Sequence, residues 1–368
     1  MEVMIDGRRV GLMAPYQRYQ TAFEYSDEWL ADGYAVSPYS LPLEPGAKYS
    51  KAQTFDGLFG IFYDSLPDGW GRLLVDRMLR REGENPDETT PLQRLSIVGD
   101  SGMGALEYKP MYERKASASI SDLDYLASEC TKILSSHNSD DLDELFALGG
   151  SSGGARPKVM MNIDGEEWII KFPSSDDPED IGLMEYEYNE CAGSCGVVIP
   201  DIRLFPSKKC AGYFGSKRFD RAREGNKTRK IHMASASALL EVSHRVPALD
   251  YNSLMALTWQ LTRHAKEVER MYRLMCFNVY SHNRDDHSNN FSFLCENGVW
   301  RLSPAYDLTY SNSIGGEHAT TIDGEGKNPD FDDLISVGKK AGLKEQLAKD
   351  IAGEVKSAVE NKLSKYMR

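Results

Sequence analysis

Ser281-His282-Asn283-Arg284-Asp285-Asp286-His287-Ser288-Asn289-Asn290-Phe291-Ser292-Phe293 gathers carboxylates, carboxamides and imidazole between two apolar segments. Upstream, Met271, Leu274, Met275 and Asn278 recur at helical spacing. Downstream, Phe291, Phe293 and the run Trp300–Leu302 read as strands. A polar cluster between a buried helix and a buried strand is costly to desolvate unless its groups are paired. Chemistry is one reason to put it there. A solvated turn capped by Asx and Ser side chains is the plainer one.

Spacing inside the stretch narrows the choice. Asp285 lies five residues before Asn290. Protein-kinase catalytic loops keep this interval between the Asp that orients the substrate hydroxyl and the Asn that ligates Mg²⁺. Asp307 follows in Ser303-Pro304-Ala305-Tyr306-Asp307-Leu308, just after a strand-like segment. A kinase-type fold keeps its second metal carboxylate in that position.

Two further motifs lie upstream. Gly149-Gly150-Ser151-Ser152-Gly153-Gly154-Ala155-Arg156-Pro157-Lys158 opens with four glycines and two serines in six residues. Such a backbone lets successive N–H groups approach a phosphate, although a flexible tether has a similar composition. The stretch runs straight into Val159–Ile163, an Asp164-Gly165 turn and Trp168–Phe172, which is a hairpin and not a tether's sequel. Lys171 closes the second hairpin strand, as does the strand lysine that pairs the ATP phosphates in kinases. Lone lysines more often sit at the surface. A helix over about Leu183–Cys195 stops at Gly196 and carries Glu185, the favoured partner for Lys171. Val197–Pro200 with Ile202–Leu204 read as one strand, and Tyr213–Arg221 as another with its exit. In a two-lobed kinase the hinge sits there, and its backbone reads the adenine edge.

The rest of the chain bounds the answer. Its 368 residues suffice for two or three domains, and 41% hydrophobic with 27% charged residues is ordinary globular composition. The net charge of -13 disfavours binding nucleic acid through a basic surface. Cys191 and Cys195, one helical turn apart, are expected to pack reduced, and neither cysteines nor histidines show zinc spacing. No run of eighteen apolar residues and no signal-peptide pattern occurs, so a cytoplasmic location is expected. Residues 1–25 read as short strands turning at Asp6-Gly7 and around Ala14-Pro15, and Ala35–Leu43 as a further strand-rich piece. Helices are expected over Trp70–Arg81 and Leu92–Val98, with a strand at Leu106–Tyr108. A linker over 109–122 leads to a helix begun at Ser121-Asp122 that ends before Ser135–Asp140. Ala238–Val242, Ala256–Asn278 and Leu334–Met367 carry helical periodicity, and Ser311–Gly326 reads as loop. Residues 1–108 read as a scaffold or docking region.

Taken in order, these motifs resemble the HipA family of serine/threonine protein kinases, the toxin half of HipBA-type toxin–antitoxin modules. The resemblance covers nearly the whole length. It rests on Leu66-Pro67-Asp68-Gly69-Trp70-Gly71, Val98-Gly99-Asp100-Ser101-Gly102-Met103-Gly104-Ala105, Ser151–Lys158, Lys171, Lys217-Arg218-Phe219-Asp220-Arg221, Asp285–Ser292 and Ala305-Tyr306-Asp307. It implies an α+β, two-lobed protein-kinase-like fold with an additional N-terminal α/β subdomain and a helical C-terminal lobe. The division implied is 1–112 for the N-terminal subdomain, 113–220 for the kinase N-lobe and 221–368 for the C-lobe. Carried over by motif, Asp285 orients the hydroxyl and His287 supports the catalytic loop. Asn290 and Asp307 hold Mg²⁺. Ser151, Ser152, Gly153, Gly154, Lys158, Lys171, Lys217 and Phe219 bind ATP, and Ser151 or its neighbour Ser152 is autophosphorylated. The family commonly has Gly where this chain has Asp286, and Lys where it has Asn289. An extra carboxylate beside Asp285 is expected to alter metal affinity or compete as base. Arg156-Pro157 stands where the family often has Gln-Glu.

The resemblance further implies a HipB-like DNA-binding antitoxin as partner and a protein substrate, an aminoacyl-tRNA synthetase being one candidate. Two other functions use the same residues. A small-molecule kinase of the aminoglycoside or choline type shares the Asp-to-Asn interval but lacks motifs like those in 1–108. A catalytically degenerate co-repressor would need none of the catalytic residue types, all of which are present.

Overall fold

Apolar alternation and a positive-φ dipeptide start the chain. Glu2–Ile5 and Arg8–Tyr16 pair antiparallel around Asp6 (φ 48°) and Gly7 (φ 75°), the signs that a two-residue hairpin requires. With Gln20–Tyr25, Lys48–Tyr49 and Glu107–Lys109 they form a five-stranded sheet. Its order is Lys48–Tyr49, Gln20–Tyr25, Arg8–Tyr16, Glu2–Ile5, Glu107–Lys109. This computed structural model describes residues 1–51, 54–112, 122–135, 141–174, 177–225, 227–246 and 248–367, apart from the side chain of Ile314. Of the linker expected over 109–122, residues 113–121 lie outside the described residues, and the helix expected to end before Ser135 does so, at Leu134.

The turn expected around Ala14-Pro15 is not there, because the second strand runs through Pro15 to Tyr16 and turns at Gln17 (φ 50°). Met13 N–H donates to Met1 O at 2.9 Å. Two residues on, the nitrogen of Pro15 faces the same side but beyond the start of the first strand, where the ladder asks for no donor. Ala35–Leu43 forms only an isolated bridge, Ser37 to Leu41, after a helix Asp27–Asp32 capped by Ser26.

The chain divides into two compact units. The first comprises Met1–Leu183 with Arg203–Ala234, and the second Met184–Ile202 with Ser235–Arg368. In the first, helices Gly69–Arg81, Pro91–Val98, Leu123–Leu134 and Leu142–Gly149 begin at Asp68, a Thr90–Gln93 capping box, Asp122 and Asp141. They pack with the hairpin Lys158–Ile163 and Glu166–Lys171 around Trp70, Leu74, Leu126, Leu145, Phe146 and Val159. One core therefore takes side chains from both the N-terminal helices and the hairpin. That hairpin belongs to a four-stranded sheet ordered Lys158–Ile163, Glu166–Lys171, Tyr213–Lys217, Ile202–Phe205. The expected strand at Val197–Pro200 is absent, and pairing begins only at Ile202, past Pro200.

In the second unit the helix Ala265–Tyr280 packs on Glu345–Leu363, where Ala348, Ile351, Ala352 and Val355 are buried. The periodic stretch Ala256–Asn278 is two helices, Tyr251–Thr262 and Ala265–Tyr280. Arg263 breaks it with φ 52°, and the His264 ring accepts from Lys266 N–H at 3.2 Å to cap the second helix. Likewise 334–367 splits into Phe331–Lys340 and Glu345–Leu363 around Gly342 (φ 85°). Ser292–Glu296 and Val299–Leu302 form a hairpin through Asn297 (φ 50°) and Gly298 (φ 80°). All six cysteines are free thiols, and five of them are buried. Among the described residues no helix is long and apolar enough to cross a membrane.

Candidate active site

The first unit folds the Gly/Ser loop onto its own N-terminal motifs. Ser151 and Ser152 are buried, while Gly153 and Gly154 are exposed. Ser151 Oγ donates to Ser101 O at 2.9 Å, and Ser152 Oγ to Gly149 O at 2.6 Å. Trp70 N–H donates to Gly154 O at 2.9 Å, and its indole Nε1–H to Lys158 O at 3.0 Å. A Cβ on Gly69 would come within 2.7 Å of Gly154 C and 2.8 Å of Ala155 Cα. One on Gly71 would meet the Ser152 backbone. The Asp68-Gly69-Trp70-Gly71 turn is therefore a seat for the loop. Sequence reasoning took these residues for scaffold. Their signal was the two glycines flanking a tryptophan, which marks close backbone approach once the partner is known.

Lys158 and Lys171 are directly opposed in the hairpin register and share one face of the sheet. Lys158 Nζ donates to Gly153 O at 2.6 Å. Lys171 Nζ lies 5.7 Å from the centre of the Phe214 ring. Two lysines at paired positions on one sheet face, one of them bonded to a glycine-rich loop, make a setting suited to a polyanion. Arg156, one residue before Pro157, is held by a bidentate pair with Asp177 at 2.9 Å for both contacts.

At the end of Tyr213–Lys217 the expected nucleotide residues diverge. The Lys217 ammonium pairs with Glu166, and Phe219 is half-buried. Between them, Arg218 joins a buried network that sequence reasoning missed. Asp220 accepts from Arg218 at 2.7 and 3.0 Å, from Arg221 at 2.7 Å and from Gly104 N–H at 2.7 Å. Both guanidiniums also donate to Gly102 O at 3.0 Å. Burial alone would raise the Asp220 pKa, but the two guanidiniums and the Gly104 N–H hold it below the usual carboxylate range. The Val98–Ala105 turn thus touches Arg218 and Asp220 through Gly102 and Gly104, and Ser151 through Ser101.

The second unit holds the opening stretch. The Asp285 side chain is 62% exposed, whereas that of its neighbour Asp286 is 0% exposed. Asp286 accepts from Tyr251 OH at 2.9 Å, His318 Nδ1–H at 2.9 Å and Thr320 N–H at 3.2 Å. Asp286, expected to compete with Asp285 as base, is instead sealed in, with both its oxygens already engaged. Tyr251 remains a phenol, because burial and then the Asp286 charge push its pKa well up. Asn290 Nδ2–H donates to Asp285 O at 2.7 Å, and Asn290 N–H to His287 O at 2.9 Å. His287 Nε2 lies 3.8 Å from Asp285 Oδ1, and its ring stands 5.6 Å from that of His244. Asn289 Nδ2 bonds the His244 ring at 3.1 Å.

The hairpin Ser292–Glu296 and Val299–Leu302 carries the chain from Asn290 back toward Asp307, so both lie at its open end. The two residues preceding Asp307 are pinned. Tyr306 OH donates to Asn289 O at 2.5 Å, and Ala305 N–H to Val198 O at 2.8 Å. Asp307 itself has φ 54°, an uncommon backbone state for a residue other than glycine and one concentrated at functional sites. Asn290 and Asp307 offer oxygen donors alone, which suits Mg²⁺. No cluster of three or more His, Cys, Asp or Glu placed to hold a metal occurs among the described residues. Mg²⁺ in phosphoryl-transfer sites commonly takes one or two carboxylates and completes its shell with water and substrate phosphate, so this sparse set fits it.

The HipA-like C-terminal domain model matches residues 150–363, and the HipA N-terminal domain model matches residues 1–109. The chain belongs to the HipA family. Among solved structures it resembles HipA of Shewanella oneidensis MR-1, from a complex with HipB and its operator DNA. That match has TM-score 0.76 at 15% identity, covering 100% of this chain and 90% of that one. At such identity the likeness speaks for the fold, and it bears out the α+β HipA architecture. A looser resemblance to the Helicobacter pylori proinflammatory kinase CtkA has TM-score 0.35 and 12% identity, over 56% of this chain and 90% of that one.

Proposed function

We propose that this HipA-family chain is an ATP-dependent serine/threonine protein kinase and the toxin of a toxin–antitoxin pair. The observation that carries the reading is the contrast inside the catalytic loop. Asp286 is buried and fully engaged, and its anchorage leaves Asp285 exposed with Asn290 folded back on its carbonyl. An exposed carboxylate on a rigid loop, five residues from a carboxamide, is equipped to orient a hydroxyl for in-line attack.

In this mechanism the Gly153 and Gly154 backbone, Lys158 and Lys171 bind the triphosphate. Asn290 and Asp307 would hold Mg²⁺, whose chemistry would be charge neutralisation on the phosphoryl group. Asp285 accepts the hydroxyl proton as the new O–P bond forms, and ADP leaves. Lys217 and Phe219 flank the adenine side. Ser151 or Ser152 is the self-acceptor. Both hydroxyls donate to backbone carbonyls in buried positions, so modification requires the loop to leave its seat. The Shewanella protein was solved with HipB and operator DNA. A HipB-like antitoxin is accordingly the partner proposed here, and the net charge of -13 favours DNA contact through that partner. The substrate class is a protein, with an aminoacyl-tRNA synthetase the first candidate, and the site of action cytoplasmic.

The test is incubation with γ-labelled ATP and Mg²⁺, alone and with cell extract, for the native chain and Asp285→Asn. Label on Ser151 or Ser152 and on an extract protein, lost in the variant, supports the reading. Transfer to small alcohols but never to protein would replace it with a small-molecule kinase, and no transfer at all would refute it.

A further inference from the structure

Asp285 and Asp307 sit on a closed circuit of chain. From the catalytic loop the backbone runs out and back through the hairpin Ser292–Glu296 and Val299–Leu302 to Asp307. It then returns along 311–321 to the catalytic loop. The return is zipped: Ser311 N–H donates to His282 O at 3.0 Å, Arg284 N–H to Ser311 O at 3.4 Å, and Ala319 N–H to Arg284 O at 3.1 Å. The last link is Asp286. Its carboxylate takes Thr320 N–H and His318 Nδ1–H, and its carbonyl takes Thr320 Oγ1–H at 2.5 Å. Tyr251, the third donor, accepts in turn from Asn278 at 3.0 Å, and Asn278 accepts from Asn283 at 3.0 Å. Both flanks of Asp285 are therefore tied to one buried chain of hydrogen bonds.

We propose that Asp286 is a positioning residue that clamps segment 311–321 to the catalytic loop and thereby holds Asp285 and Asp307 in register. The inference rests on the kinase reading for its kinetic consequence, but not for its structural one. A buried carboxylate is worth keeping only when its donors are well placed. Here two donors, His318 and Thr320, come from the returning segment, and the third, Tyr251, comes from the helix Tyr251–Thr262 outside the circuit. A weaker anchor would leave the ends of the ring free to slide. Misplacement of reacting groups by about 1 Å costs on the order of 10²-fold in rate.

The experiment compares the native chain with Asp286→Asn and Tyr251→Phe. The asparagine turns an N–H₂ toward groups that are themselves donors. The phenylalanine removes one donor and leaves Asp286 with its other partners. Asp286→Asn is expected to lower kcat by about 10²-fold while the KM for ATP moves less than about threefold. Tyr251→Phe is expected to show a smaller loss of the same kind. Amide exchange should quicken together over 282–286 and 318–321 in Asp286→Asn. Unchanged kcat in folded Asp286→Asn, or faster exchange at only one of the two segments, overturns the proposal. If Asp286→Asn does not fold, Tyr251→Phe decides by the same two readouts. Should the native chain transfer no phosphate, the kinase reading falls and the exchange measurement still judges the clamp.

Discussion

Gly71→Ala is the substitution on which the loop-seat argument stands or falls. Replacing a helical glycine by alanine ordinarily stabilises by about 0.5–1 kcal/mol, because the unfolded chain loses freedom. Gly353, in Glu345–Leu363, has nothing within 4 Å of an added Cβ, and Gly353→Ala should show that gain. At Gly71 the added carbon meets Pro67 Cβ at 2.9 Å and Ser152 N at 3.0 Å, with Ser152 O closer still. The obstacles on the loop side are backbone atoms, so no side-chain rotation relieves them. Overpacking of this kind costs about 1–3 kcal/mol, leaving a net loss of up to about 2.5 kcal/mol after the helical gain. Part of that strain will be relieved by displacing the Gly/Ser loop, and ATP should bind about tenfold more weakly, equivalent to about 1.4 kcal/mol. Urea unfolding midpoints and nucleotide titrations on both variants supply the measurement. If Gly71→Ala raises the midpoint as Gly353→Ala does and ATP affinity is unchanged, the seat is not a seat.

Three further outcomes are expected. Lys171→Met should weaken ATP binding by about 10–100-fold, the value of a charge-assisted contact of about 1.5–3 kcal/mol; equal affinity by calorimetry would remove Lys171 from the site. Asp307→Asn should lower kcat by about 10²–10³-fold, while ATP affinity measured with EDTA stays at the native value; a matching loss without metal would argue against a metal role. His232 is buried, and burial depresses its pKa from the ordinary 6.5 to about 4 against the opposing contact with Val36 O. Between those values the unfolded chain binds the proton and the folded one does not. Its contribution, about 3 kcal/mol, is therefore complete above pH 6.5 and lost as pH falls toward 4. A His232→Gln variant should flatten that part of the pH–stability curve, and an unchanged slope would contradict the assignment.

Local signals carried most of what the sequence could say. The hairpin with Lys171 was legible because an Asp-Gly turn and flanking apolar runs are written within a dozen residues. The Asp285–Asn290 interval was legible because one loop holds both groups. What escaped depended on partners distant in the chain. Gly69 and Gly71 are constrained by a loop some eighty residues away, and Ser101 by Ser151, so nothing local distinguishes them from ordinary turn residues. Asp285 and Asp286 are the same residue type side by side, and burial alone separates a reactive carboxylate from an anchored one. The helix break at Arg263 carries neither Gly nor Pro, which is why periodicity ran straight across it.

The Asn297-Gly298 turn is the far end of the hairpin from Asn290 and Asp307. Extra residues spliced in there would lengthen a tip rather than shift either end of the ladder, since loop closure grows only slowly with length. That makes the tip the natural place to graft a fluorophore or an epitope, giving a handle on the chain that leaves its chemistry undisturbed.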